Sequence, residues 1–174
     1  MAEFMHPVFT VLSKPKVVVV TGVVYLLGQI GMTRIVRDIG PELFQLQVTT
    51  DWSRFQEIQS HWSQTQWAQY HAHFSVDFIF PWTYGLFLTC WLLRHAPRFT
   101  RWLRWTIWIP LSTAIADCIE NSIHLGLLHA SDNAVFWVMV SGWVSRYKWG
   151  VAALVVVTCL FFEGQRVLQA RRSA

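Results

Sequence analysis

The chain has 174 residues, of which 53% are hydrophobic and only 14% carry a charged side chain, whereas charged residues make up about a quarter of an ordinary soluble domain. This composition excludes a typical soluble domain and indicates a membrane protein. The net charge is +4, but the basic residues flank apolar segments instead of forming a continuous stripe. The excess therefore indicates the ends of membrane helices and excludes nucleic acid as a partner.

The apolar segments predict an all-α, polytopic membrane protein in which four transmembrane helices form a bundle. A helix needs about 20 predominantly apolar residues to cross the hydrocarbon, and the chain reads as one domain over residues 1–174. The four predicted spans cover about residues 17–36, 74–93, 105–129 and 149–162. Residues 134–144 are apolar but too short to cross alone, so they form either an in-plane or re-entrant helix or an extension of the fourth span.

Between the first two spans, residues 38–72 are polar but rich in aromatic side chains, which predicts an interfacial amphipathic segment. Apolar residues recur there every three or four positions, at Trp52, Phe55, Ile58 and Trp62. We expect this helix face to lie at the depth of the lipid headgroups. Capping-box sequences beginning at Ser53 and Ser63 predict helices that start near those two residues.

The basic residues predict the orientation of the spans. With both termini in the cytoplasm, nine of the fourteen lysines and arginines lie on the inner side and five on the outer side. The inner set is Lys14, Lys16, Arg94, Arg98, Arg101, Arg104, Arg166, Arg171 and Arg172, and the outer set is Arg34, Arg37, Arg54, Arg146 and Lys148. This asymmetry favours a multi-pass protein of the bacterial inner membrane with cytoplasmic N and C termini.

Polar residues interrupt the third span in a pattern that predicts a site. They fall at helical positions i, i+3, i+4 and i+7 and so share one helix face: Asp117, Glu120, Asn121 and His124. An acidic residue at the centre of a span costs about 2.5–3.5 kcal/mol, while a Leu or Ile returns only about 0.3–0.6 kcal/mol. These carboxylates must therefore be neutral, paired, or next to a wet cavity.

A second wall of this site is predicted on the second span, where four residues again fall at helical spacing: His73, Asp77, Pro81 and Tyr84. Because Pro81 has no N–H, it leaves the carbonyl of Asp77 without a helical partner and should bend the span. Lys148 and Arg146 are the nearest basic partners at the right depth. The predicted ligand-binding set is Asp77, Tyr84, Asp117, Glu120, Asn121, His124 and Lys148.

Three motifs carry a resemblance to a known group of proteins. They are D-x-x-x-P-x-x-Y-G at residues 77–85, D-x-x-E-N at 117–121 and K-W at 148–149. Their order and spacing resemble those of a group of small four-helix bacterial membrane proteins, over about residues 44–160. The resemblance implies a four-helix membrane fold and no activity, because that group has no assigned function. In layout alone the chain is also similar to the sterol-isomerase and sigma-2-receptor-like proteins.

Several functions are compatible with this pattern. The first is a structural or accessory protein of a larger membrane assembly, in which the polar network fixes helix packing. The second is a protein or enzyme that binds a lipid, an isoprenoid or another hydrophobic small molecule, with Asp77, Glu120 and His124 as candidates for proton transfer. The third is a metal site using His73, Asp77, Glu120 and His124, or a haem held by His124 with His71 or His73. A small transporter is a fourth. The sequence identifies no cofactor, and the lipid bilayer is the one partner that every alternative shares.

Overall fold

The computed structural model describes residues 7–95, 108–129 and 133–172, which form eight helices and no strand within those ranges. The helices are α1 (Pro7–Leu12), α2 (Pro15–Ile35), α3 (Gly40–Val48), α4 (Trp52–Ser60), α5 (Gln64–Asp77), α6 (Phe80–His95), α7 (Ile109–Leu127) and α8 (Ala134–Arg172). The all-α prediction is confirmed. Arg98, Arg101 and Arg104 of the predicted basic connection lie outside the described residues.

Two helices are long and apolar enough to cross a membrane, α2 and α8, and the bent pair α5 and α6 makes a third if it is one span. These helices correspond to the predicted first, fourth and second spans. Helix α7 corresponds to the predicted third span and has 19 residues. It is long enough to cross a membrane but less apolar than these helices within the described residues. Four of its buried polar residues lower the mean hydropathy: Asp117, Glu120, Asn121 and His124.

Helix α8 is continuous over 39 residues. Of the two alternatives for residues 134–144, the extension of the last span is therefore the one observed. At 1.5 Å per residue the helix is about 58 Å long, which exceeds the roughly 40–45 Å of a bilayer with its headgroups. If α8 crosses a membrane, part of the helix therefore extends beyond the bilayer.

The predicted bend at Pro81 is confirmed. Helix α5 ends at Asp77, α6 begins at Phe80, and the two axes differ by 50°. The carbonyl of Asp77, which Pro81 cannot satisfy, accepts a hydrogen bond of 2.7 Å from the side-chain amide of Asn121 on α7. A neighbouring helix thus replaces the lost backbone partner.

Helices α3 and α4 and their connection, residues 40–60, pack against α8 and are called the cap. The capping box at Ser63 is confirmed, with Gln66 completing it. The other helix start was placed slightly too late, because Asp51 caps α4 by accepting from the Arg54 amide and the helix begins at Trp52. An Asp side chain two residues earlier competes successfully with Ser53 for the free amides of the first turn.

The aromatic face predicted over residues 52–62, which continues past the end of the cap, does not point outward as an anchor at headgroup depth would. Phe55, Ile58 and Trp62 are buried, and they pack in one hydrophobic cluster with Tyr70 of α5 and Val138 of α8. The amphipathic spacing was therefore interpreted correctly as one face, but this face is buried against protein. The periodicity of a helix identifies its apolar side without identifying what covers it.

The cap contacts α8 most closely where Thr49 lies against Gly142. A Cβ atom at Gly142 would overlap the backbone carbonyl of Thr49, so the connection between α3 and α4 crosses α8 where the helix lacks a side chain. Nearby, Arg146 donates to the carbonyl of Val48 at 3.1 Å. The predicted outer-side arginine is thus used to hold the cap and does not reach the carboxylates.

Candidate functional site

Helix α7 carries its polar residues on the face that the other helices cover. Asp117, Glu120, Asn121 and His124 are all buried, with at most 5% of each residue exposed. On the opposite side of the helix, Ile115 and Ile119 are about half exposed, at 50% and 47%. The helix therefore buries its polar face and exposes its apolar face, the opposite of a helix in a soluble protein. An apolar surrounding favours this arrangement.

Lys148 of α8 is the cation of this cluster. Its ammonium group forms an ion pair with Asp117 and a second with Glu120, whose Oε2 lies 2.8 Å from Nζ. Lys148 is only 4% exposed, so the charges are shielded from solvent and depend on each other. The predicted pairing of Lys148 with the carboxylates is present in the structure.

A third helix contributes to the same cluster. The Tyr84 hydroxyl of α6 lies 2.9 Å from Oδ2 of Asp117 and 3.2 Å from the Thr113 carbonyl. The carboxylate of Asp117 is thus contacted from α6 on one oxygen and from α8 on the other. It connects three helices through two charge-assisted contacts.

The remaining carboxylate, Asp77, lies at the bend of the α5–α6 pair. It is buried and close to Asp117, and Asn121 contacts both its side chain and its carbonyl. His73, one turn earlier on α5, is also buried, and its Nδ1 bonds to the Tyr70 carbonyl. The seven predicted ligand-binding residues and His73 therefore lie in or beside one buried cluster.

His124 is held by a residue that the sequence analysis did not select. The hydroxyl of Tyr70 lies 3.0 Å from Nδ1 of His124, and Phe55 of the cap packs edge-on against the imidazole ring, 5.6 Å between centroids. Tyr70 has no exposed surface. It stands three residues before His73 and seven before Asp77, so the helical spacing of α5 could have revealed it.

Ser141 and Ser145 were also missed. Both are buried on α8, where they stand seven and three residues before Lys148, and Ser145 lies beside Glu120. The signal was present as a second polar stripe at helical spacing. It was overlooked because residues 134–144 were treated apart from the helix that contains Lys148.

The cluster supports a metal site poorly. No three His, Cys, Asp or Glu side chains in the described ranges are grouped as metal ligands. Lys148 occupies the place between Asp117 and Glu120 that a cation would take, and both His73 and His124 use Nδ1 in bonds within α5 and to Tyr70.

A groove of about 620 Å³ lies on the other side of α7, with Trp82 and Trp137 at its edges and Cys118 and Ser122 in its wall. None of the nominated site residues lines it. Because these α7 residues face away from the carboxylates, a molecule in this groove would not contact Asp117 or Glu120.

Comparison of the chain with protein-family models, with curated proteins and with solved structures finds no match. The four-helix resemblance, and the function of the cluster, therefore stay predictions.

Proposed function

We propose that the protein is an integral membrane protein with four spans, α2, the bent α5–α6 pair, α7 and α8, and that its buried ionic cluster fixes the packing of the last three. In this role it is a structural or accessory component of a bacterial inner-membrane assembly. The observation that carries the proposal is the double connection made by Lys148 and Tyr84, which joins α6, α7 and α8 at Asp117.

Support for α7 as a span comes from its geometry. Its 19 residues cover about 28 Å at 1.5 Å per residue, close to the thickness of the hydrocarbon. Its charged groups are compensated by Lys148, and its outward residues Ile115 and Ile119 are apolar. A helix of low mean hydropathy can cross a membrane when neighbouring helices cover its polar face.

Support for the orientation comes from the ends of the helices. Arg94 near the end of α6 pairs with Glu163 of α8 at 3.2 Å, so the end of α6 lies level with a point nine residues before the end of α8. Lys14 and Lys16 precede α2, and Arg171 and Arg172 end α8. Basic residues thus gather at the end of the bundle away from the cap, which favours a cytoplasmic position for both termini.

Reporter fusions test the topology. Fusions within residues 96–107 and after residue 172 are expected to report a cytoplasmic position, and a fusion in the cap between Val48 and Trp52 an outer one. A cytoplasmic signal from the cap, or an outer one from residues 96–107, would contradict the four-span topology.

Crosslinking in native membranes tests the accessory role. We expect the wild type to yield a specific crosslinked partner that is lost in Lys148→Met, while the exposed control Arg54→Gln retains it. A wild type that is monomeric and without a partner in its own membrane would contradict an accessory role, although the ionic cluster could still stabilise the fold.

The alternative of a lipid or isoprenoid ligand is supported by one observation, the apolar groove beside Trp82 and Trp137. Its position supports contact with an acyl chain or a polyprenyl chain. It does not support proton transfer by Asp77 or Glu120, which lie on the other side of α7.

A further inference from the structure

Four buried polar atoms on the facing sides of α7 and α8 form no hydrogen bond of ordinary geometry: Glu120 Oε1, His124 Nε2, Ser141 Oγ and Ser145 Oγ. A fifth, Glu120 Oε2, pairs with Lys148 instead, and the Ser145 hydroxyl lies close enough to the Glu120 carboxyl to stabilise its charge. Each of the four residues that carry the unpaired atoms is at most 2% exposed. A buried polar atom without a partner costs about 1–3 kcal/mol, so four of them together point to an occupant that supplies the missing hydrogen bonds.

The register of the two helices brings these atoms together. Helices α7 and α8 are antiparallel neighbours, and the contacts of Lys148 with Asp117 and Glu120 set their alignment. Ser145 lies beside Glu120. One turn further along each helix the next residues on the same faces are His124 and Ser141. The four atoms therefore line one polar space below the cap.

The chemistry of this space matches water. If the Tyr70 hydroxyl donates to Nδ1 of His124, the ring proton is on Nε2, which becomes a donor. Glu120 Oε1 is an acceptor, and the two serine hydroxyls can be either. A buried water molecule typically makes two to four such bonds.

The charge balance adds a second requirement. Asp77, Asp117 and Glu120 are three buried carboxylates, and among the described residues Lys148 is the ammonium that pairs with two of them, Asp117 and Glu120. Leaving two negative charges uncompensated in an apolar surrounding is costly. Asp117 is engaged by Tyr84 and Lys148 on separate oxygens, which favours its ionised form. Glu120 is the carboxyl whose Oε1 faces the polar space, so it is the one that water bound there can protonate. Asp77 forms no ion pair within the described residues, so a proton on Asp77 is the alternative that glutamate labelling has to exclude.

We propose that Glu120 and water bound between α7 and α8 form a proton-binding site. The bound water gives one of its protons to Oε1, where a new O–H bond converts the carboxylate to a neutral carboxylic acid. The water is restored by a proton from hydronium, which becomes a water molecule of the bulk solvent. The ion pair between Lys148 and Glu120 is then lost, while the pair between Lys148 and Asp117 remains. The cluster thus has two charge states, which a purely structural network does not need.

Every element around Glu120 contributes titratable or charged groups to this site. They are Tyr70, His73 and Asp77 on α5, Tyr84 on α6, Asp117 and His124 on α7, and Lys148 on α8. The experiment must therefore show that the proton binds to a glutamate and not to an aspartate or a histidine, and substitutions alone cannot show this.

Infrared difference spectra between mildly acidic and mildly alkaline buffer make that distinction, using full-length protein in lipid nanodiscs. We expect a carboxylic-acid C=O band that shifts when the protein is produced with ¹³C-glutamate and that is absent in Glu120→Gln. The band should persist in Glu57→Gln, where the exposed Glu57 pairs with Arg54. A carboxylic-acid band that does not respond to the glutamate label, or no such band in the wild type, would overturn the proposal.

The bound water has its own test, in the sign of a stability change. In a dry space, Ser141→Ala removes an unpaired hydroxyl and should raise the melting temperature. If the Ser141 hydroxyl binds water, the variant should lower the melting temperature and shift the glutamic-acid band. Ser145 is left unchanged, because it lies against Glu120 and would affect the band directly. The exposed Ser122→Ala, which loses only a bond within α7, serves as the control. A raised melting temperature with an unchanged band would overturn the role of water.

Discussion

Two helix interfaces of this protein are built on opposite principles. Helix α7 packs against α8 through buried charges, whereas α2 packs against α6 through aromatic rings and through glycines that let the two helices approach closely. Only Met32 of the 21 residues of α2 is buried, and Tyr25 stacks on Phe80 and Phe87 at centroid distances of 6.0 and 5.7 Å. Where lipid surrounds both helices, apolar contact alone gives little preference for one packing. Close approach and polar contacts then provide the specificity.

The charged interface should be the more sensitive to a single change. Lys148→Met leaves Asp117 and Glu120 without their cation, and removing one member of a buried ion pair typically costs about 3–5 kcal/mol. We expect that loss in the free energy of unfolding, measured by tryptophan fluorescence during denaturation in mild detergent.

The control for that change is the exposed pair Arg54–Glu57, 2.7 Å apart. Arg54→Gln should change the free energy of unfolding by less than about 1 kcal/mol, because solvent screens the pair. Equal losses for Lys148→Met and Arg54→Gln would mean that burial of the cluster does not determine its contribution.

The contribution of α6 to the cluster is isolated by Tyr84→Phe. The change removes one hydroxyl and its hydrogen bond to a charged group, with an expected loss of about 1.5–3 kcal/mol. Tyr147→Phe is the matched control, because its hydroxyl bonds to Ser112 at 2.6 Å in an exposed position. Thermal unfolding of the two variants in the same nanodisc should place Tyr84→Phe clearly lower.

The attachment of the cap depends on close approach and not on charge. Gly142→Ala introduces a methyl group where the Thr49 carbonyl lies, and such overpacking typically costs about 1–3 kcal/mol. We expect faster proteolysis between Val48 and Trp52 as the cap separates from α8. Gly150→Ala, in the same helix with nothing within 4 Å of the new Cβ, should instead be neutral or slightly stabilising. Faster proteolysis in Gly150→Ala than in Gly142→Ala would contradict this account.

The smallest effect is expected at the α2–α6 interface. A Cβ at Gly22 or Gly28 would lie 3.0 Å from the ring of Phe87 or Phe80, and rings can shift more easily than backbone. Gly28→Ala should therefore cost less than about 1 kcal/mol, partly offset by the better helix propensity of alanine. A loss as large as that of Gly142→Ala would show that α2 is held as rigidly as the cap.

The features that a sequence predicts well here are those with local causes. Asp117, Glu120 and His124 had to share a covered face because of their spacing, and Pro81 had to bend the second span because it lacks an N–H. Lys148 was nominated because a buried carboxylate needs a cation at its depth. Each of these inferences requires only helical geometry and the energetics of one group.

What escaped prediction depends on contacts between distant segments. Phe55 and Trp62 have the spacing of a lipid-facing helix, yet they are covered by α5 and α8, which the spacing of α4 cannot reveal. The contact between Gly142 and Thr49 joins residues far apart in the chain. Ser141 was missed because a serine within an apolar run is ordinary until the facing helix shows an unpaired partner.

The most direct test of the structural role is a double-mutant cycle between Lys148→Met and Asp117→Asn, measured as free energies of unfolding in nanodiscs. The cycle between Arg54→Gln and Glu57→Gln serves as the exposed reference. We predict that the buried pair shows a coupling of about 2 kcal/mol or more, clearly above the reference value, so that the double variant loses much less than the sum of the single losses. Additive losses at Lys148 and Asp117, or a coupling no larger than that of the exposed pair, would contradict the claim that the ionic cluster holds the helices together.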